Sequence, residues 1–401
     1  MPDTTSQPFA SLRTTASTEG SRTTHKLGIV GGGQLARMLA QSAIQLGCEV
    51  VILERKPECP AASLACKVIE GDWDEPEQLL KLGEIAGVIT LENEFVDAGS
   101  LAELEAAGHA LWPTAETIRL VQDKLLQKQA LVAAGLPVAD FMAVADRAAV
   151  EKAGAKFGWP LVLKKRRNGY DGKGNFTLDS AADIEEAWSQ LGGDKNELYV
   201  EKFFPFALEL AVMVVRSQNG EEISYPVVET IQRDHICHVV KAPVAVTPAI
   251  EAKAAEVARA AVAAVKCVGA MGVEMFLGRD GALVINELAP RVHNSGHYTI
   301  EACVCSQFEN HVRAVMGWPL GSPAMRASAA VMVNLLGAGK GTGAPHGLNH
   351  ALQVAGAHIH VYGKAVSAPG RKMGHVTALG RTVDEALATA QRAAGAIRFG
   401  D

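Results

Sequence analysis

Hydrophobic and polar positions change period repeatedly along this chain, and each change marks an element. Lys26 to Val30 and Cys48 to Leu53 are short, nearly continuous apolar runs, as expected of strands buried on both faces. Between them the glycine turn Gly31-Gly-Gly-Gln-Leu-Ala36 leads into helical spacing over Arg37 to Leu46. Two further strand–helix units follow, and the strand Val88 to Leu91 ends in Glu92-Asn93-Glu94. This alternation predicts an open parallel α/β sheet. Pro113 to Ala134 reads as one helix, stopped by Gly135-Leu-Pro137. Trp159 to Lys164 and Leu198 to Glu201 read as strands. Leu208 to Arg216 and Ile223 to Val228 form a hairpin pattern around Asn219-Gly220. A helix over Ala249 to Val265 precedes a second hairpin, Gly272–Leu277 and Ala282–Ile285, turning at Gly278-Arg-Asp-Gly281. Tyr298 to Met316 is predicted helical, short strands begin at Ala329, and an Ala-rich helix starts at Thr382. No internal repeat is present.

Composition adds limits. At 401 residues the chain is long enough for two or three domains. A net charge of −6 argues against general nucleic-acid binding, so anionic substrates would need locally gathered cations. No apolar run approaches the roughly 18 residues of a membrane span. Seven cysteines without framework spacing suggest reduced thiols. Cys303 and Cys305 fall in the helix-like run. Residues 1–25 are rich in Ser and Thr and carry Arg13 and Arg22, a composition shared by disordered extensions and plastid or mitochondrial transit peptides. The chain reads as cytoplasmic, or organellar if that tail is a targeting segment.

The chemistry concentrates in Ile285 to Thr299, where Asn286 and Glu287 leave an apolar strand and Arg291, His293, Asn294, Ser295 and His297 crowd one turn. Folding the hairpin sets Glu274 opposite Asn286 or Glu287. Two carboxylates at 4 Å repel by about 4 kcal/mol at an effective dielectric of 20. A hard cation reverses that cost, and Mg²⁺ accepts one or two carboxylates plus substrate phosphates. The pairing therefore reads as a magnesium site for a nucleotide; the bland reading is two glutamates on a solvated face. Lys164, Lys165, Arg166 and Arg167 lead into Asn168-Gly-Tyr-Asp-Gly-Lys-Gly174, a pattern that suits a flap over phosphates or, otherwise, a solvated charge run. The turn at Gly31, with Gln34, can hold a phosphate at a helix N-terminus. Glu92, beyond its strand, can bond ribose hydroxyls or cap a helix. Glu209 is an acid in an apolar strand. Lys364, Arg371 and Lys372 lie on two neighbouring strands and suit a phosphate monoester or form a basic rim.

Taken in order, G-G-G-Q-L-A-R-M (31–38), Q-D-K-L-L-Q-K (122–128), Y-D-G-K-G (170–174), Y-P-V-V-E-T-I (225–231), V-E-M-F (273–276), I-N-E-L-A-P-R-V-H-N-S-G-H (285–297) and G-R-K-M-G-H (370–375) resemble N5-carboxyaminoimidazole ribonucleotide synthetase, an ATP-grasp family. The likeness spans roughly residues 26 to 378 and is nearest the fungal-type versions, which often carry a mutase domain after this one; the sequence here ends at Asp401. It implies a Rossmann-like domain over 26–118, a small lid over 119–204 and a C-terminal ATP-grasp domain over 205–401. It implies carboxylation of 5-aminoimidazole ribonucleotide by bicarbonate and ATP through carboxyphosphate, with Mg²⁺ on Glu274 and Glu287. ATP would meet Lys124, Lys164, the loop Gly169, Tyr170, Asp171, Gly172, Lys173, Gly174 and Asn175, and then Glu201, Lys202, Phe203, Phe204, Glu209, Gln232, Asn286 and Glu287. Bicarbonate and the amine would meet at Arg291, His293 and Asn294. Gln34, Glu92, Tyr170, Asp171 and Lys173 would hold the ribonucleotide, and Lys364 and Arg371 its phosphate. A homodimer and a mutase partner are also implied. Ala36, Lys173 and Gln232 depart from the family's usual Gly, Arg and His. The competing readings are a flavin or nicotinamide oxidoreductase built on Gly31 to Gly33 and Glu54, an ATP-grasp ligase for another carboxylate such as formate, and a non-catalytic nucleotide-binding relative.

Overall fold

The computed structural model describes residues 25–169 and 174–400; the tail 1–24 and Tyr170 to Lys173, to which targeting and substrate roles were assigned, lie outside the described residues. The first sheet is parallel. β1 (Lys26–Val30), β2 (Glu49–Glu54), β3 (Lys67–Glu70) and β4 (Val88–Leu91) run in the order β3-β2-β1-β4. Both faces are covered: α1 (Gln34–Gln45) lies on one, α2 (Pro76–Gly83) and α3 (Ala98–Ala106) on the other. α1 starts at Gln34, a turn earlier than predicted, and Ala36 is fully buried in the core.

The predicted helix 113–134 is two helices, α4 (Ala115–Gln122) and α5 (Lys124–Ala133). Asp123 between them leaves helical backbone (φ −96°, ψ 103°), and its carboxylate caps α5 by accepting the Leu125 and Leu126 N–H groups at 3.1 and 3.3 Å. Spacing alone could not show the break, because Asp123 also receives Arg166 from the next sheet. That sheet contains β5 (Phe141–Val144), β6 (Leu161–Lys165), β7 (Asn175–Leu178) and β8 (Leu198–Lys202), is antiparallel in the order β5-β8-β6-β7, and packs on α6 (Arg147–Phe157) and α7 (Ile184–Leu191).

The third sheet is the largest. It is built from β9 (Phe206–Arg216), β10 (Glu222–Ser224), β11 (Val228–Arg233), β12 (Ile236–Ala242), β13 (Gly269–Gly278), β14 (Leu283–Ala289), β15 (Ala329–Leu336), β17 (Ala357–Val361) and β19 (Lys372–Gly380), with the short pair β16 (Gly341–Thr342) and β18 (Val366–Ser367) beside it. Its order is β14-β13-β9-β11-β12-β15-β19-β17. β9 shows why a continuous apolar run belongs here. Leu210, Val212 and Val214 face α8 (Pro248–Ala264), while Ala211, Met213 and Val215 face a core shared with α1 and a later helix. The parallel domain is therefore welded to the large sheet. Among the described residues no helix is long and apolar enough to cross a membrane.

The predicted helix 298–316 is also interrupted, into α9 (Thr299–Ala302) and α10 (Gln307–Val315). Cys303 is extended (φ −112°, ψ 159°) and bridges to Met325, and Ser306 caps α10 through the Glu309 N–H at 3.1 Å. Cys303 and Cys305 thus lie in the break, where burial pushes both thiols up to about 12. The remaining helices are α11 (Leu348–Ala351) and α12 (Val383–Ala394).

One buried histidine pins the first sheet to the third. The Ala270 N–H donates to His311 Nδ1 at 3.0 Å, so the ring proton is on Nε2, which donates to Thr90 Oγ1 at 2.8 Å. Thr90→Val leaves that N–H unpartnered in the core and is expected to cost about 1–3 kcal/mol. Denaturant unfolding measures it; Thr90→Ser should stay near wild type, and an unchanged midpoint for valine would contradict the role given to this bond.

Candidate active site

All three sheets contribute to one cleft of about 1220 Å³. At its centre β13 and β14 pair with Glu274 directly opposite Glu287, followed by a bulge after which Met275 faces Ile285. Asn286 is the extra residue of that bulge, so the opposed partner is Glu287. β14 also runs on to Ala289, so both residues belong to the strand and do not follow it. The two carboxyls are driven apart electrically. Burial, and then the charge of Glu287, lift Glu274 well above the usual carboxylate range. Burial acts the same way on Glu287, but Lys124, hydrogen-bonded to its Oε2, outweighs it and holds Glu287 below that range, helped by Lys164 and Arg291. The pair tends to keep a proton where a second cation would otherwise sit, and this donor chemistry suits Mg²⁺. Among the described residues no cluster of three or more His, Cys, Asp or Glu side chains could hold a metal, so further ligands would have to come from a bound phosphate or water.

Beside the pair is a buried cationic knot. Glu201 accepts Lys164 Nζ at 2.6 Å and the Tyr199 hydroxyl at 3.0 Å, and lies 3.1 Å from Lys128 Nζ. Burial opposes ionisation of Glu201, but Lys128 and Lys164 bring it down to about 2. Lys128 Nζ also donates to the Ile285 carbonyl at 2.9 Å, tying α5 to β8 and to the strand bearing Glu287. Sequence reading gave Lys128 no role; its burial was the missing information. Phe203 and Phe206 line the cleft with 37% and 40% of their surface exposed, and Phe206 stacks on Phe276 at 4.4 Å. Lys202, Phe204, Glu209, Gln232, Asn286, Gly169 and Asn175 also line the cleft. Gln232 hydrogen-bonds Glu209, and burial raises that carboxyl. Gly174, at φ +101°, does not line the cleft wall; its carbonyl accepts from the Lys165 N–H at 2.9 Å. The basic run is not all solvated, since Arg166 Nε donates to Asp123 Oδ1 at 3.0 Å and the Arg166 carbonyl accepts the Lys124 N–H at 2.8 Å.

The polar turn after β14 is held from three directions. Glu94, beyond β4, grips Arg291 in a two-pronged ion pair, Nη2 to Oε1 being 3.0 Å. His293 Nδ1 accepts the Ser295 N–H at 3.4 Å, which leaves its proton on Nε2, 3.5 Å from Glu274 Oε1. Burial, then Arg291 and Lys372, hold its pKa well below the usual imidazole value, so His293 is neutral. Asn294 and Asn334 exchange two hydrogen bonds at 3.0 and 2.6 Å. Glu94, Asn334 and Gln307, whose Oε1 accepts the His293 N–H at 2.9 Å, are positioning residues that sequence reading missed. The available signals were Glu94 at a strand's carboxyl end and a lone Asn in the apolar β15.

The glycine turn works differently from expectation. The Gly33 and Leu35 N–H groups donate to Glu92, and the Gly32 N–H donates to Glu54 Oε2 at 2.8 Å. A Cβ on Gly33 would lie 2.1 Å from Glu92 Oε1, so glycine is needed there for an approaching side chain. The amides proposed for a phosphate are therefore occupied by two acids, Glu92 and the Glu54 on which the dinucleotide reading relied. Burial pushes Glu92 up to about 7 against those N–H bonds, with Glu54 adding to the rise. Gln34, Glu92, Lys364 and Arg371 all face the cleft. The last two stand on turns flanking β18, not on strands as predicted.

Three domain families match the chain: the ribonucleotide synthetase pre-ATP-grasp domain over residues 24–122, the ATP-grasp domain over 129–308 and the phosphoribosylaminoimidazole carboxylase C-terminal domain over 330–389. The N5-carboxyaminoimidazole ribonucleotide synthase of Synechococcus elongatus is 43% identical over 352 residues, 88% of each chain. The phosphoribosylaminoimidazole carboxylase of Ogataea methanolica is 43% identical over 90% of this chain but only 67% of its own length. The crystal structure of N5-carboxyaminoimidazole synthase from Aspergillus clavatus, in complex with ADP and 5-aminoimidazole ribonucleotide, is 39% identical and superposes with a TM-score of 0.85 over 93% of this chain and 98% of that one.

Glu92 generates a pH prediction. Its folded pKa of about 7 exceeds the ordinary 4.5, so the stability it confers is fully present below pH 4.5 and lost as pH rises through about 7. Glu92→Gln cannot ionise. Across that window wild type should lose up to about 3 kcal/mol relative to the glutamine variant. Paired denaturant titrations at successive pH values would show this, and parallel curves would refute it.

Proposed function

Because the chain belongs to the N5-carboxyaminoimidazole ribonucleotide synthase family of ATP-grasp ligases, we propose that it uses ATP and bicarbonate to carboxylate the exocyclic amine of 5-aminoimidazole ribonucleotide. The observation that carries this reading is the opposed Glu274/Glu287 pair, with Lys124 on it, in the same cleft as the Arg291–His293–Asn294 turn. Glu274 and Glu287 would hold Mg²⁺, which neutralises phosphate charge when bound. Lys124 and Lys164 neutralise the transferring and leaving phosphates, and Phe203, Phe204 and Phe206 offer faces for the purine ring. Glu209 and Gln232 suit ribose hydroxyls. A bicarbonate oxygen attacks the γ-phosphorus and ADP leaves, giving carboxyphosphate. The amine nitrogen then bonds to the carboxyl carbon, either displacing phosphate directly or adding to CO₂ after carboxyphosphate has split into CO₂ and phosphate, and in both routes the amine gives up a proton.

Phosphoryl transfer depends mainly on positioning and charge neutralisation, which this wall of fixed cations supplies. Carboxyphosphate hydrolyses readily, so closing the glycine loop 169–175 over the cleft would protect it. Gln34 and Glu92 then hold the aminoimidazole ribonucleotide while Lys364 and Arg371 take its phosphate. Tyr170, Asp171 and Lys173 belong to the same proposal, as do a homodimer and a mutase that consumes the product.

ADP release should require ATP, bicarbonate and aminoimidazole ribonucleotide together for full rate, and formate should not replace bicarbonate. Glu287→Gln is expected to lower turnover by about a thousandfold or more, while circular dichroism shows the protein still folded. Near-wild-type turnover in that variant would sink the metal assignment. ADP release independent of bicarbonate would sink the reaction.

A further inference from the structure

Two polar rows face each other behind the Arg-His-Asn turn. One crosses three neighbouring strands, with Asn334 of β15 opposite His375 of β19 and His375 opposite His360 of β17. The other runs along the chain through Asn294, His297 and Glu301 at helical spacing. The rows match one to one. Asn294 is bonded to Asn334, His297 lies over His375 with ring centroids 5.0 Å apart, and Glu301 Oε1 is 2.7 Å from His360 Nε2. The outer pairs are hydrogen-bonded. The middle pair is not: His375 uses Nδ1 on the Tyr362 hydroxyl, and its buried Nε2 has no partner. His297 is held instead by packing against Phe308 and Tyr362 and by Gln307.

Gln307 settles where the His297 proton resides. Its Oε1 accepts the His293 N–H, which fixes the amide orientation, so Nε2 is the donor to the His293 carbonyl at 2.7 Å and to His297 Nδ1 at 3.2 Å. A ring nitrogen that accepts is unprotonated, so His297 carries its proton on Nε2. That N–H has no protein partner among the described residues, although the residue is only 1% exposed and lines the cleft. Unlike His375 Nε2, this nitrogen is not sealed in the core: the donor opens onto the cleft, where a bound group can meet it.

We propose that His297 is a further catalytic residue, whose neutral Nε2–H, fixed by Gln307, hydrogen-bonds an oxygen of the activated one-carbon unit beside Arg291 and Asn294. This rests on the reaction proposed above. The carboxyl oxygens carry negative charge as the anhydride forms and breaks, and a donor already in place there lowers the barrier without reorganising. Burial, and then His293, His360, Lys372 and Arg291, hold the ring well below its ordinary pKa, which keeps it a donor without a charge.

The test compares His297→Phe, which keeps the ring and its packing, with His297→Gln, whose amide N–H reaches the place of Nε2–H. Phenylalanine should lower kcat by about a hundredfold to a thousandfold while leaving KM for ATP within about twofold. Glutamine should recover at least about tenfold of that loss. His297→Asn, a polar side chain too short to reach, makes the same comparison if phenylalanine fails to fold, and glutamine should exceed it. Unchanged kcat in the phenylalanine variant overturns the proposal. So does an equal loss in glutamine and asparagine accompanied by a lower melting temperature, which would mean a packing role only. Wild type assayed alongside separates the two readings: without bicarbonate-dependent ADP release the reaction itself fails, whereas with it and an indifferent His297 only the donor role fails.

Discussion

Two half-buried acids face each other across neighbouring strands in one cleft, and much of the surrounding structure answers that repulsion. At an effective dielectric of 20 the charges would cost each other about 4 kcal/mol at 4 Å. Lys124 is hydrogen-bonded to Glu287 alone, and at Glu274 burial and the charge of Glu287 outweigh its pull, so Glu287 ionises more readily and Glu274 less readily than usual. Placing Lys124 there requires the helix break at Asp123, and the break is stabilised by Arg166 from the base of the glycine loop. A charge imbalance at one hairpin therefore links the polar end of α5 to the loop that would cover a nucleotide. Lys128 repeats the pattern one turn further along α5, joining Glu201 of the small sheet to the Ile285 carbonyl of the large one.

The hairpin and the polar turn were legible in the sequence because their logic is local. Asp280-Gly281 forces the reversal and alternation sets the faces, which brings Glu274 opposite Asn286 or Glu287; the bulge at Asn286, which the pattern did not show, selects Glu287. The partners that orient the turn were not legible. Glu94 reaches Arg291 across 197 residues, and Asn334 reaches Asn294 across 40. No periodicity encodes such pairs. The two helix errors share this origin: Asp123 and Cys303 fit helical spacing, and tertiary contacts draw them out of it.

The glycine turn shows a subtler limit. Its composition fits a phosphate cradle, and the helix N-terminus is real. Yet Glu92 and Glu54 bring carboxylates to the same N–H groups, so the glycines make room for side chains. Motif and local backbone were read correctly while the occupant was not, because the occupant comes from the ends of two other strands. This also removes the main support for a dinucleotide enzyme.

The histidines give the last constraint. His293, His297 and His311 each have Nδ1 accepting from an N–H group, and each therefore presents Nε2–H. Burial keeps all three below their usual pKa. The cleft already contains Lys124, Lys164, Arg291, Lys364, Arg371 and Lys372. Protonated His293 or His297 added to that set would repel those cations and would need counter-charges, whereas His311 lies outside the cleft and is kept neutral by burial alone. As neutral donors, His293 and His297 avoid the repulsion and can still offer an N–H to an oxygen at a defined point. The division is thus physical: under the proposed reaction permanent cations would neutralise phosphate charge, while imidazoles fixed in one tautomer supply direction without altering the charge balance that the Glu274/Glu287 pair sets.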